Sequence, residues 1–104
     1  MSVQPSQSML EFLRNLKPLI FNTAQKYGVS NIRIFGSAVR NEMTPTSDVD
    51  LLVHADRDSG LTLFALARLE EELEQLIGRP VDVVLDDALS PSIRERILQE
   101  VHPL

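Results

Sequence analysis

The sequence predicts an α/β fold: a small mixed β-sheet packed with α-helices. Three observations lead there. Asn31–Phe35, Asp48–Val53 and Val81–Leu85 are short runs with the alternating or unbroken apolar pattern of strands. Apolar stripes at steps of three and four lie before and between them, which is the spacing of amphipathic helices. The chain has 104 residues, 43% of them apolar, which suits one domain with a modest core.

Residues 1–7 are a polar lead-in, and residues 8–104 make up the domain. From Ser8, the stripe Met9, Phe12, Leu13, Leu16, Ile20, Ala24, Tyr27 predicts a helix that breaks near Lys17, because Pro18 disfavours helical geometry there. Gly28 closes it. After the first strand, Gly36-Ser37 turns the chain and Ala38-Val39-Arg40 begins a short helix. Asn41 to Ser47, with Pro45, reads as a loop. Asp48–Val53 is the second strand. Leu61, Ala65, Leu69, Leu73, Leu76 and Ile77 mark a helix over 61–77, closed by Gly78 and barred from continuing by Pro80. Val81–Leu85 is the third strand. Ser90-Pro91 starts a last helix expected to end near Val101. The expected order is helix, strand, short helix, strand, helix, strand, helix.

Composition narrows the function. No run of 18 apolar residues exists, so no membrane-spanning helix is expected. Met1 to Gln7 has neither a basic start nor an apolar core, so no signal peptide is expected. Without cysteine there is no disulfide and no thiolate metal site, and a cytoplasmic location is the simplest expectation. The net charge of -5 repels phosphate backbones, which argues against tight non-specific nucleic-acid binding.

The residues that suggest chemistry begin with Ser47-Asp48-Val49-Asp50-Leu51. Two carboxylates two apart on a strand share one face, while Val49, Leu51 and Val53 point to the other. Carboxylates so placed repel unless a cation lies between them, and hard oxygen donors suit Mg2+ or Mn2+. A bare Asp-x-Asp is as often a plain exposed strand face. Three further details shift the weighing. Gly36-Ser37, at a strand-to-helix turn, offers close backbone approach and a hydroxyl to a phosphate. Arg40 shares a helical face with Ser37 and could meet a triphosphate. Asp82 stands between valines in a strand, where an aspartate is disfavoured without a partner. Beside the second strand it would complete three carboxylates around two metals about 3.5–4 Å apart.

Together, Gly36-Ser37-Ala38-Val39-Arg40, Ser47-Asp48-Val49-Asp50-Leu51-Leu52-Val53 and Val81-Asp82-Val83-Val84 resemble the signature of the DNA polymerase beta nucleotidyltransferase superfamily. The spacing and size are similar to those of its shortest branch, the minimal nucleotidyltransferases found beside HEPN-domain toxins. The resemblance runs from about Leu16 to the C-terminus. It implies the nucleotidyltransferase fold, with Asp48, Asp50 and Asp82 as catalytic and metal-holding residues. It also implies Gly36 and Ser37 as phosphate-holding residues with Arg40 nearby, and Asp82 as the group that takes the acceptor's proton. ATP would be the substrate, two Mg2+ ions the cofactor, and a tyrosine of a cognate HEPN toxin the acceptor, so that the chain acts as an antitoxin. Asn41 replaces a glycine common in the family, and its tolerance of left-handed geometry suits the turn.

Two alternatives stand beside this reading. One is a non-catalytic antitoxin that neutralises its partner by binding. The other is a small-molecule nucleotidyltransferase, for which the chain leaves little room to build an acceptor pocket. The remaining polar residues have plainer expectations. His54, near the acidic pair, and His102 are surface residues. Asp56, Asp58, Asp86 and Asp87 are loop or capping carboxylates. Glu70, Glu71, Glu72 and Glu74 form a solvated helix face, and Arg94 and Arg96 decorate the last helix.

Overall fold

A computed structural model describes residues 8–40 and 42–104; the polar lead-in 1–7 and the Asn41 position lie outside them. The first stripe forms two helices, α1 (Met9–Asn15) and α2 (Lys17–Lys26). Ser8 starts α1 with a capping box, its hydroxyl accepting the Glu11 N–H while Glu11 reaches back to the Ser8 N–H. Leu16 separates the helices, and Pro18 falls in the first turn of α2, where its missing N–H costs nothing. Strand β1 (Val29–Phe35), helix α3 (Ser37–Arg40), strand β2 (Val49–Ala55), helix α4 (Leu63–Ile77) and strand β3 (Val81–Leu85) follow in the expected order. Gly78 ends α4 in the left-handed conformation, as its position in the sequence suggests.

The last helix, α5 (Pro91–Leu98), is shorter than expected. The chain then forms a two-residue strand, β4 (His102–Pro103), antiparallel to β1. Two residues, one of them proline, carry no readable alternation. The sheet order is β3-β2-β1-β4, with β2 and β3 parallel and the other pairs antiparallel. A further departure lies within β1. Its pairing with β2 advances three residues on one side and two on the other between Ser30 and Arg33, and Asn31 takes a positive φ of 53°. This is a β-bulge built on a residue that tolerates left-handed geometry.

One face of the sheet is the core. Ile32 and Ile34 of β1, Val49, Leu51 and Val53 of β2, and Val81 and Val83 of β3 are all buried there. Leu13, Ile20 and Ala24 from the first helices and Leu69, Leu73 and Ile77 from α4 complete the same cluster. The opposite face carries Arg33, Phe35, Asp50, Leu52, His54, Asp82 and Val84, by the strand alternation and the observed register. Period two thus divides the sheet into a packed side and a chemical side.

The glutamates of α4 are not merely a solvated face. β3 is an edge strand, and its outward N–H groups need partners. Val83 N–H donates to Glu70 at 2.8 Å and Val81 N–H to Glu74 at 3.3 Å. Glu72 accepts from the Tyr27 hydroxyl and from Lys26 Nζ, tying α4 to the end of α2. Three of the four glutamates therefore hold tertiary structure. The sequence showed only their position opposite the apolar stripe.

Replacing Glu70 and Glu74 together by alanine leaves two strand-edge donors without partners. The expected loss is about 1–3 kcal/mol of unfolding free energy, measured by urea denaturation. A variant as stable as the wild type would show that the strand edge needs no cover.

Candidate active site

The site gathers at the end of the sheet where β2 and β3 begin. Asp50, the second residue of β2, is the direct register partner of Asp82, the second residue of β3. Paired residues on neighbouring strands point to the same face, so the two carboxylates stand together. Asp48 precedes β2 by one residue and is exposed beside them. The Asp82 side chain is exposed, while that of Asp50 is half-buried. Burial, then the charges of Asp82 and Asp48, push the Asp50 carboxyl up to about 6, and Arg40 only partly offsets them.

Two contacts fix the loop that leads to Asp48. Arg79, just before β3, donates to the carbonyls of Ser47 at 3.1 Å and Thr44 at 3.2 Å. Val49 N–H donates to the Pro80 carbonyl at 2.9 Å. The entry to β2 is therefore anchored on the entry to β3, which sets Asp48 relative to Asp82. Arg79 gave no signal in the sequence, because an arginine after a helix-ending glycine is ordinary.

Gly36 joins β1 to α3 with a φ of +78°. A Cβ at this position would lie 2.3 Å from Asp50 Oδ2, so the Asp50 carboxylate would have to move from where it stands. The missing side chain thus makes room for the Asp50 carboxylate, a reason the sequence did not suggest. The Gly36 N–H donates to Glu100 Oε1 at 2.9 Å. Ser37 opens α3 and is half-buried. Arg40 ends α3, with Nε donating to Glu42 at 2.9 Å and Nη1 to both oxygens of Glu100 at 3.0 Å. Glu100, between α5 and β4, is a site residue the sequence reading missed. Its separation of 60 residues or more from its partners hides it.

A second polar cluster occupies the far end of the same face. His54 Nδ1 lies 3.1 Å from Asp86, and Arg33 pairs with the other Asp86 oxygen at 3.0 Å. Asp86 is buried rather than a loop carboxylate, and His54 lies at the other end of β2 from Asp50. Burial raises the Asp86 pKa, but hydrogen bonds from Arg33 and His54 outweigh it and hold the carboxyl below its ordinary value. The bond to Asp86 in turn raises the pKa of His54 above 6.5. Among the described residues, His54, Asp86 and Asp87 are the group whose ligand atoms all lie within 4.8 Å of one another. The Arg33 guanidinium already neutralises Asp86, so this cluster acts as an ion-pair network that ties β1 and β2 to the turn after β3.

Both clusters make stability depend on pH. Asp50 has a raised folded-state pKa, so its contribution is full below 3.8 and lost as pH rises through about 6. With metal chelated, Asp50→Asn is expected to melt a few degrees above the wild type at pH 8 and level with it at pH 4. A variant that melts below the wild type at pH 8 contradicts the repulsion. His54 also has a raised pKa, so its ion pair contributes below 6.5 and is lost as pH rises through the higher folded value. Between pH 6 and pH 9 the wild type is expected to lose more thermal stability than His54→Gln. Equal losses would show that His54 does not pair with Asp86 in solution.

Comparison with known proteins identifies the family of the chain. The nucleotidyltransferase domain family matches residues 18–102. The protein adenylyltransferase MntA of Thermococcus cleftensis is 42% identical over 77 residues, covering 74% of this chain and 76% of the relative. A solved structure of a candidate minimal nucleotidyltransferase superposes with a TM-score of 0.80 at 37% identity, covering 97% of this chain and 100% of the other. A chain from a complex of the tri-AMPylated Shewanella oneidensis HEPN toxin with its MNT antitoxin has a TM-score of 0.65 at 20% identity. That match covers 86% of this chain and 69% of the other, and it carries the fold alone. The family match runs from the second residue of α2 to the first of β4 and includes Asp48, Asp50 and Asp82, so this chain belongs to the nucleotidyltransferase domain family.

Proposed function

We propose that this chain is a metal-dependent protein adenylyltransferase, which moves AMP from ATP to a tyrosine hydroxyl of a cognate HEPN-domain toxin and so acts as its antitoxin. The observation that carries the reading is the pairing of Asp50 with Asp82 across β2 and β3, with Asp48 beside them and the Gly36 turn packed against Asp50. The relative named as a protein adenylyltransferase supplies the class of acceptor. The toxin–antitoxin complex of similar fold suggests the kind of partner.

The residues present fit a pair of hard divalent cations. Three carboxylates offer oxygen donors, and the raised Asp50 pKa marks negative charge without compensation. Two Mg2+ ions, or Mn2+, would offset the triphosphate charge and ease deprotonation of the acceptor hydroxyl. Asp48 and Asp50 would hold both ions, and Asp82 the one on the acceptor side. Ser37 and Arg40 receive the triphosphate oxygens, and Gly36 lets the turn lie close to Asp50. The acceptor oxygen forms a bond to the α-phosphorus while the bond to pyrophosphate breaks. The hydroxyl proton passes to Asp82, and pyrophosphate leaves with the bonding pair.

The partner reading also suits the charge. A net charge of -5 steers a basic protein surface toward the chain and disfavours a nucleic-acid acceptor. No helix among the described residues is long and apolar enough to cross a membrane. Consumption of ATP fits a cytoplasmic setting.

The Asp48→Asn, Asp50→Asn double variant separates catalysis from occlusion. Incubated with the toxin, ATP and Mg2+, the wild type is expected to add the mass of AMP to the toxin, on a tyrosine. The double variant adds none and loses neutralisation. Full neutralisation by the variant, with no mass added by the wild type, would make the chain a binding antitoxin instead.

A further inference from the structure

We infer that Glu100 is a positioning residue of the nucleotide site, holding Arg40 so that its Nη2 amino group is left for the incoming triphosphate; this rests on the nucleotidyltransferase reading above. Glu100 belongs to none of the motifs that define the site. It comes from the short segment between α5 and β4, yet one carboxylate takes both the Gly36 N–H and the Arg40 guanidinium. Its side chain is 31% exposed, less than the 48% of Arg40, so the better-buried group is the anchor.

The hydrogen-bond pattern on Arg40 gives Glu100 its role. Glu42 holds Nε and Glu100 holds Nη1, so the guanidinium is held on both sides of Nη2. Among the described residues, Nη2 has no partner. A guanidinium has five donors in a rigid plane. Fixing Nε and Nη1 therefore fixes the direction of the remaining N–H groups at Nη2. A long, half-exposed arginine would otherwise sample many rotamers and lose that freedom only on binding ATP. The Gly36 N–H fixes the other end of the clamp. It holds the Glu100 carboxylate at the turn that packs on Asp50, so Arg40 is set relative to the acidic group. β4 supplies the support: His102 and Pro103 pair with Ile34 and Arg33, and Leu104 N–H donates to the Ile32 carbonyl at 3.1 Å. Glu100 is thereby tied to the same strand that delivers Gly36.

Gly36 N–H has one hydrogen and is already engaged, so with Glu100 in place the phosphate donors of this corner are Ser37 and Arg40. Glu100 thus acts through Arg40 and never touches the nucleotide.

The test is a double-mutant cycle on ATP affinity, measured by calorimetry with Mg2+ on the full chain. Glu100→Gln keeps the shape and the Gly36 contact but loses the ion pair with Arg40. It is expected to weaken ATP binding roughly tenfold, as loss of a charged hydrogen bond does, with an unchanged melting temperature. In the Arg40→Ala background the same change is expected to have no further effect. In the transfer assay the loss falls on KM for ATP rather than on kcat. If the wild type binds ATP and Glu100→Gln binds it equally or more tightly, the proposal is wrong and the nucleotidyltransferase reading stands. If the Glu100 and Arg40 effects add in full, Glu100 does not work through Arg40 and the proposal is likewise overturned. A wild type that binds no ATP with Mg2+ would overturn the functional reading and the proposal together.

Discussion

The carboxylate of Asp50 occupies the space that a side chain on Gly36 would fill, and much of the molecule is arranged around that contact. A Cβ here would lie 2.3 Å from Asp50 Oδ2 and displace that carboxylate, and the φ of +78° already favours glycine, so a glycine turn after β1 lets β2 keep its acid in place at the sheet end. The same turn starts α3, and Arg40 at its end is near enough to Asp50 to offset part of the charge around it. Asp50 in turn pairs in register with Asp82 on β3, which runs parallel to β2. That arrangement needs a crossover, and α4 supplies it. A charge that is costly to bury therefore sits where a glycine turn and two parallel strands meet.

The cost is accepted at one place and compensated nearby. Asp50 is lifted to about 6 by burial and by its neighbours, which is unfavourable at neutral pH without a cation. The rest of the scaffold is well satisfied. The edge of β3 is covered by Glu70 and Glu74, and the loop before Asp48 is clamped by Arg79. At the far end of the chemical face, Arg33 and His54 neutralise the buried Asp86. One end of the face is thus closed and balanced while the other carries excess negative charge. This asymmetry distinguishes the two acidic clusters, although the balanced one has the more closely spaced ligand atoms.

What the sequence revealed follows from the range over which each signal acts. The three long strands were legible because valine-rich runs and alternation are local, and β3 occurs where it was expected. α4 was legible from its stripe and from Gly78. The placement of Asp50 and Asp82 on one face followed from period two and one assumption about strand order. Contacts across long separations were not legible. Glu100 lies 64 residues from Gly36, and nothing near it marks it as different from the other helix-end acids. β4 is two residues long, below the length at which alternation has meaning. Glu70 and Glu74 read as solvated because helical periodicity shows which side of α4 faces away from the apolar stripe, but not that a strand edge lies alongside. The metal-holding and phosphate-holding roles stay proposals: the carboxylate spacing and the Gly36-Ser37 turn suggest that chemistry, and the family resemblance implies it residue by residue.

The central claim is that the divalent cations belong to Asp48, Asp50 and Asp82, and not to the tighter group of His54, Asp86 and Asp87. Titrating the isotope-labelled chain with a trace of Mn2+ and reading paramagnetic broadening by nuclear magnetic resonance decides it. Signals of Gly36, Asp48, Asp50 and Asp82 are expected to broaden first, and Asp50→Asn is expected to abolish the effect. Broadening centred on His54, Asp86 and Asp87, and unaffected by Asp50→Asn, would contradict the account.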